Sequence, residues 1–121
     1  MDWLAATDES QLFLSVVSLA ELRRGIERMD RGRRRTALDL WLSEQLPTRF
    51  DNRILFVDLI TADLWGRVTA RSQGAGRLIG AMDALLAATA EQHQLTLVTR
   101  NTSDFSATGV RLFDPWTMTA S

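Results

Sequence analysis

Three carboxylates stand where apolar stretches of the chain are about to empty into loops. Glu21 follows the strand-like LFLSV (12–16), Asp83 opens the helical run that leads into LTLV (95–98), and Asp104 comes just after that stretch. In an open α/β sheet, ligands bind beyond the carboxyl ends of the strands, where loops converge. A helix that runs back antiparallel to its strand hangs its own N-terminus over the same edge, so Glu21, Asp83 and Asp104 are expected on one rim. Carboxylates forced together repel and raise one another's pKa unless a cation shares their charge. Mg²⁺ or Mn²⁺ suits such a rim, because hard divalent ions take carboxylate and water oxygens. Thiolate and His-rich zinc chemistry is excluded, since the chain has no Cys and one His, His93. The strand end itself is polar from Thr99 to Asp104, placing hydroxyls, the Asn101 amide and a carboxylate where a pocket floor would lie.

Each acid also has a purely structural reading. Ser18-Leu19-Ala20-Glu21 has the spacing of a capping box, in which Glu21 satisfies a backbone N–H. Asp83 near a helix start complements the macrodipole, and Asn101 and Asp104 are ordinary turn or cap residues. Singly these readings are sufficient; together they leave unexplained why all three acids share one edge.

The elements that must position these residues follow from periodicity. LFLSV (12–16) has strand composition and Ser18 starts a helix with Leu19, Leu22 and Ile26 at helical spacing; Gly25 inside it hints at close packing. Leu38, Trp41, Leu42 and Leu46 mark a second helix that Pro47 is expected to end. ILFVD (54–58) reads as a strand, and Ile60, Leu64 and Val68 line a helix to about Arg71, closed by Gly74 and Gly76, with Ser72–Gly76 linker-like. A further helix runs from about Gly80 to His93, then LTLV and VRLF (110–113) as strands, the last stopped by Asp114-Pro115. Trp3 to Ala6 resembles the end of a short helix. Strand and helix alternate, which predicts an α/β fold with a mainly parallel sheet.

At 121 residues, 45% hydrophobic and 24% charged, the chain fits one globular domain over 1–121. No apolar run reaches the roughly 18 residues of a membrane span and no basic leader opens the sequence, so the cytoplasm is the expected compartment. Net charge is −1, yet all fourteen basic residues are Arg, and seven of them lie between Arg23 and Arg35. Such a stretch either grips phosphate through bidentate forks or forms a solvated face with Glu27 and Asp30 as ion-pair partners.

SLAELRRGIERM (18–29), AMDALLAATAEQHQLTLVTRNTSDF (81–105) and VRLFDPW (110–116), in this order and spacing, resemble the PIN-domain ribonuclease toxins of the VapC type, especially their FitB-like branch. The resemblance implies a three-layer α/β/α domain holding Mg²⁺ or Mn²⁺ among acids, and a type II toxin–antitoxin toxin that hydrolyses RNA phosphodiesters. It assigns catalysis and metal binding to Glu21, Asp83 and Asp104 and places Thr99 and Asn101 beside the metal. Arg23 and Arg24, near Glu21, become candidates for the RNA backbone. A VapB-like antitoxin and a homodimer are the implied partners, with Trp41, Trp65 and Leu46 as either partner surface or core; no membrane is implied. The chain departs from the family at its start, where an apolar strand ending in Asp is expected and MDWLAA stands instead. The alternative expectation is therefore a catalytically impaired PIN-like protein that only binds a partner or oligomerises.

Overall fold

A computed structural model of the chain describes residues 12–99, 102–114 and 119–120. The chain divides into two compact units, Ser10–Phe56 and Val57–Ser121. The expected helix at Trp3–Ala6 lies outside the described residues.

The first unit begins with β1 (Leu14–Ser15), which pairs in parallel with β2 (Ile54–Leu55), Leu14 opposite Ile54 and Ser15 opposite Leu55. Helix α1 (Val16–Glu27) follows without a loop. The strand therefore ends at Ser15, ahead of the β-branched Val16-Val17, because Ser15 is the N-cap: its Oγ accepts from the Val17 N–H at 3.0 Å. Ser18 is thus interior to the helix and starts nothing, which removes the capping-box reading of Glu21 and moves that residue to the second turn. Gly25 marks no close approach either, since a Cβ there would meet nothing within 4 Å.

Helix α2 (Arg33–Leu40) runs on through a π-helical turn (Trp41–Gln45) into α3 (Leu46–Arg49). Pro47 was expected to stop this helix and does not. Proline has no N–H and its ring clashes with the carbonyl four residues back. Just ahead of it the Leu46 N–H reaches five residues back to the Trp41 carbonyl, and this widened turn lets the chain pass Pro47 without breaking. Ile26, Leu42 and Leu46 form the buried core of the unit, with Leu14, Leu19, Leu38, Trp41 and Phe50 packed on it.

The second unit holds the longer helices. ILFVD (54–58) is strand only at Ile54–Leu55, because Asp58 caps α4 (Leu59–Gly74): its carboxylate accepts from the Thr61 N–H at 3.0 Å while Thr61 Oγ1 accepts from the Asp58 N–H at 3.1 Å. Helix α4 extends to Gly74, so most of the linker-like stretch is helical. It ends in a Schellman turn, Gly76 N–H to Gln73 O and Arg77 N–H to Ser72 O, both 2.9 Å, with Gly76 at φ +76°. Helix α5 (Ala81–Gln92) ends in the same device with Gln94 at φ +56°.

Next come β3 (Leu97–Val98), the short helix α6 (Thr102–Phe105), a 3₁₀ turn (Ser106–Thr108), β4 (Leu112–Asp114) and β5 (Thr119–Ala120). Strands β3 and β4 are parallel, and β5 is antiparallel to β4. The core gathers Val68 from α4, Ala84, Ala87 and Ala88 from α5, Phe105 and Leu112, with Leu64, Ile79, Leu97 and Val110 around it. Alanines fully buried along α5 leave room for α4 to lie close. Of the described residues, no helix is long and apolar enough to cross a membrane.

Candidate functional site

Asp83 is the third residue of α5, and Asp104 the third of α6. Two structural decisions bring their segments together. Gly80 caps α5 with extended backbone and no side-chain bond, so the first turn of that helix carries Asp83 as its acid. Phe105, 4% exposed, plugs α6 into the core beside Ala84, Ala87 and Ala88 and thereby fixes the neighbouring Asp104.

Hydrogen bonds hold the α6 segment in place. Arg77, in the loop ahead of α5, donates from Nη2 to the Ser103 carbonyl at 2.6 Å, joining the approach to Asp83 to the residue before Asp104. Thr108 Oγ1 donates to the Phe105 carbonyl at 2.6 Å, and Arg71 Nη2 donates to the Thr108 carbonyl at 2.8 Å. Sequence reasoning passed over Arg77; its one signal is its position directly after the helix stop at Gly76. Thr99 sits past the carboxyl end of β3, its N–H donating to the Phe113 carbonyl at 3.0 Å and extending the β3–β4 ladder. Asn101 lies outside the described residues.

The electrostatics mark Asp83. Partial burial, and after it the negative charge of Asp104, raise its carboxyl above the ordinary 3.8. Asp104 is exposed. A half-buried carboxylate with a second one bearing on it is an arrangement that a hard cation relieves, and both residues offer oxygen donors. Among the described residues, no group of three or more His, Cys, Asp or Glu side chains is placed to hold a metal ion. The negative charge of Asp104 thus reaches Asp83, while the first turn of α5 and the short α6 carry the two acids. Glu21 belongs to the first unit, exposed on the second turn of α1.

Arg23 is committed within the first unit: its Nη2 meets Asp39 Oδ1 at 2.9 Å and Ser43 Oγ at 3.0 Å, and Glu27 lies 3.7 Å from Nη1. The Asp39 carboxyl is correspondingly held below its usual range, chiefly by the hydrogen bond from Arg23. Arg24 is exposed. Of the three candidates for partner surface, Leu46 is core, Trp41 packs against that core, and Trp65 is 36% exposed with Nε1 donating to the Ala81 carbonyl at 3.2 Å.

Parallel strand pairs joined through helices make an α/β fold, and the chain matches the PIN domain over residues 1–110. It belongs to the PIN-domain family. Among individual proteins it is 34% identical to toxin FitB of Neisseria gonorrhoeae over 114 residues, 94% of this chain and 82% of that protein. It is likewise 34% identical to the VapC ribonuclease Y4jK of Sinorhizobium fredii, over 94% of this chain and 81% of that one. The crystal structure of FitAcB from Neisseria gonorrhoeae matches it with a TM-score of 0.88 at 34% identity, covering 94% of this chain and 82% of that chain.

Proposed function

We propose that this protein is the toxin of a type II toxin–antitoxin pair and an endoribonuclease that hydrolyses RNA phosphodiesters with a divalent cation, Mg²⁺ or Mn²⁺, held at Asp83 and Asp104. The observation that supports the reading is Asp83 itself, a half-buried carboxyl in the first turn of α5, raised by burial and then by the charge of Asp104. Support for the activity comes from the family and from relatives named as a toxin and as a ribonuclease. When bound, the cation would supply positive charge for phosphoryl oxygens and acidify a water.

The chain's own residues do the rest. Asp83 and Asp104 provide the negative charge that attracts the cation, and without it they repel a phosphodiester. Arg77 positions the Asp104 segment through the Ser103 carbonyl. The resemblance gives Glu21 a share in holding the cation, Thr99 and Asn101 polar support beside it, and Arg24 a place on the RNA backbone. A ribonuclease that is toxic to its own cell needs a restraining partner, so an antitoxin is part of the reading, as are a homodimer, a single PIN domain and a cytoplasmic location with the RNA.

The test compares RNA cleavage in Mg²⁺, Mn²⁺ and EDTA for the parent, Asp83→Asn, Asp104→Asn and Glu21→Gln. EDTA should silence the parent. Each Asp variant should lose at least the roughly 10–100-fold that removing a mere outer-shell partner costs. Equal activity in every tube would overturn the mechanism, and antitoxin binding without any cleavage would leave a partner-binding protein in its place.

A further inference from the structure

The turn between α1 and α2 surrounds a hollow of about 500 Å³ lined by Arg28, Met29, Asp30, Arg31, Gly32 and the first turn of α2, Arg33 to Arg35. Its charges are unevenly satisfied. Arg35 is used internally, donating to Glu27 Oε2 at 3.0 Å and to the Met29 carbonyl at 3.1 Å. Arg28, Arg31, Arg33 and Arg34 make no ion pair or hydrogen bond through their side chains with the described residues, and Asp30 is the one acid on the wall.

The placement is also costly to the fold. Three cations occupy the first turn of α2, which has no acid and no side-chain cap. Cations there oppose the positive end of the helix dipole, where acids are normally favoured.

We propose that this arginine-lined hollow binds the phosphodiester backbone of RNA through Arg28, Arg31, Arg33 and Arg34, which rests on the reading of the chain as an RNA-cutting enzyme. The chemistry of the wall selects the ligand. Guanidinium forks match phosphate oxygens two at a time, and the charge of a phosphate chain supplies nearly all of its sequence-independent binding. A protein partner draws most of its affinity from a few buried apolar anchors, and Met29 is the only apolar side chain on this wall. Recognition by charge makes the site indifferent to base sequence, so its task is to hold RNA while sequence is read elsewhere.

Binding of a labelled single-stranded RNA oligonucleotide, measured by fluorescence anisotropy in EDTA across a salt series, tests the proposal with no cleavage under way. Arg33→Gln/Arg34→Gln should weaken binding on the order of tenfold at ~0.1 M salt and flatten the log–log salt slope by about 1.4, at ~0.7 for each lost contact. The same variant should melt no lower than the parent, since it relieves the helix start. Arg28→Gln/Arg31→Gln, outside the helix, should reproduce the weakening. Arg67→Gln/Arg111→Gln changes net charge equally and should leave affinity and slope near parental values.

Unchanged binding in both hollow variants would overturn the proposal, as would an equal loss in the Arg67/Arg111 control. Displacement of RNA by poly-glutamate at matched charge, or tighter binding of the same sequence as DNA, would overturn the choice of RNA. Cleavage assayed separately with metal keeps the two readings apart. A nuclease whose RNA affinity ignores these arginines sinks the hollow alone, and an RNA binder that never cuts sinks the nuclease alone.

Discussion

Asp58 and Asp83 stand at the starts of consecutive helices, and their carboxyls move in opposite directions. Asp58 accepts the Thr61 N–H and hydroxyl, and Gln92 Nε2 at 3.1 and 3.2 Å, so hydrogen bonds to the charged form hold its pKa below 3.8. The folded value lies under the unfolded one. The stabilisation is therefore complete at pH well above 3.8 and disappears as pH falls through the lowered folded value. Asp58→Ala should lower Tm by several degrees at pH 7 and have much less effect near pH 2, measured by thermal melts across pH. Asp83 is the reverse case: burial raises its pKa, the folded chain holds the proton more tightly, and its contribution to stability declines as pH rises from 3.8 through the raised value. Asp83→Asn should thus melt no lower than the parent at pH 7 without metal. Adding Mn²⁺ should raise the parent's Tm by linkage and leave the variant's nearly unmoved. A parent indifferent to Mn²⁺ would count against a metal at this pair.

Short helices carry the site only if something anchors them, and α6, four residues long, is anchored by Phe105. Phe105→Ala should cost roughly 3–5 kcal/mol, the usual range for emptying a buried phenylalanine site. Phe105→Leu keeps most of the packing, so its expected signature is a folded protein with weaker Mn²⁺ affinity, because Asp104 is the residue just before it. Isothermal titration on the folded variant distinguishes the two; unaltered Mn²⁺ affinity would show that α6 placement does not matter. The helices were largely legible in the sequence where stop signals were strong. Gly80 and His93 bracket α5 as read, and Gly76 closes the turn after α4. Strand ends were harder. LFLSV runs on to Val16 past the Ser15 cap that turns the chain into helix, and ILFVD stays apolar through Phe56 and Val57 after its strand has ended at Leu55 and before the Asp58 cap, so apolar composition alone marks neither strand end. The π-helical turn ahead of Pro47 left no mark in the spacing at all. Asp83 and Asp104 could be placed at the starts of their helices because both flank a recognisable helix–strand unit, whereas Arg77 was missed because its bond runs to a backbone carbonyl, which no sequence pattern records.

At the scale of the whole chain, the two units each have an apolar cluster of their own: Ile26, Leu42 and Leu46 in Ser10–Phe56, and the larger set around Val68, Ala87 and Phe105 in Val57–Ser121. Opening free energies within a protein range from near zero up to that of global unfolding, and they follow local burial. The first cluster has three buried members, each 5–7% exposed and flanked by half-buried side chains; the second has six, including Val68 and three alanines at 1% exposure or less. The first unit should therefore open more readily. Leu42→Ala, a deletion costing roughly 2–5 kcal/mol, should speed amide hydrogen exchange in α1 and α2 while α4 and α5 stay near their parental rates. Val68→Ala should act chiefly on α4 and α5. Exchange read by mass spectrometry on proteolytic fragments resolves these regions, and a uniform rise across the chain in both variants would mean that the clusters unfold as one cooperative block. Because the first unit opens more readily, bound RNA should slow exchange there more than in α4 and α5, most of all in the turn from Arg28 to Arg35, since a ligand that binds only the folded form stabilises it.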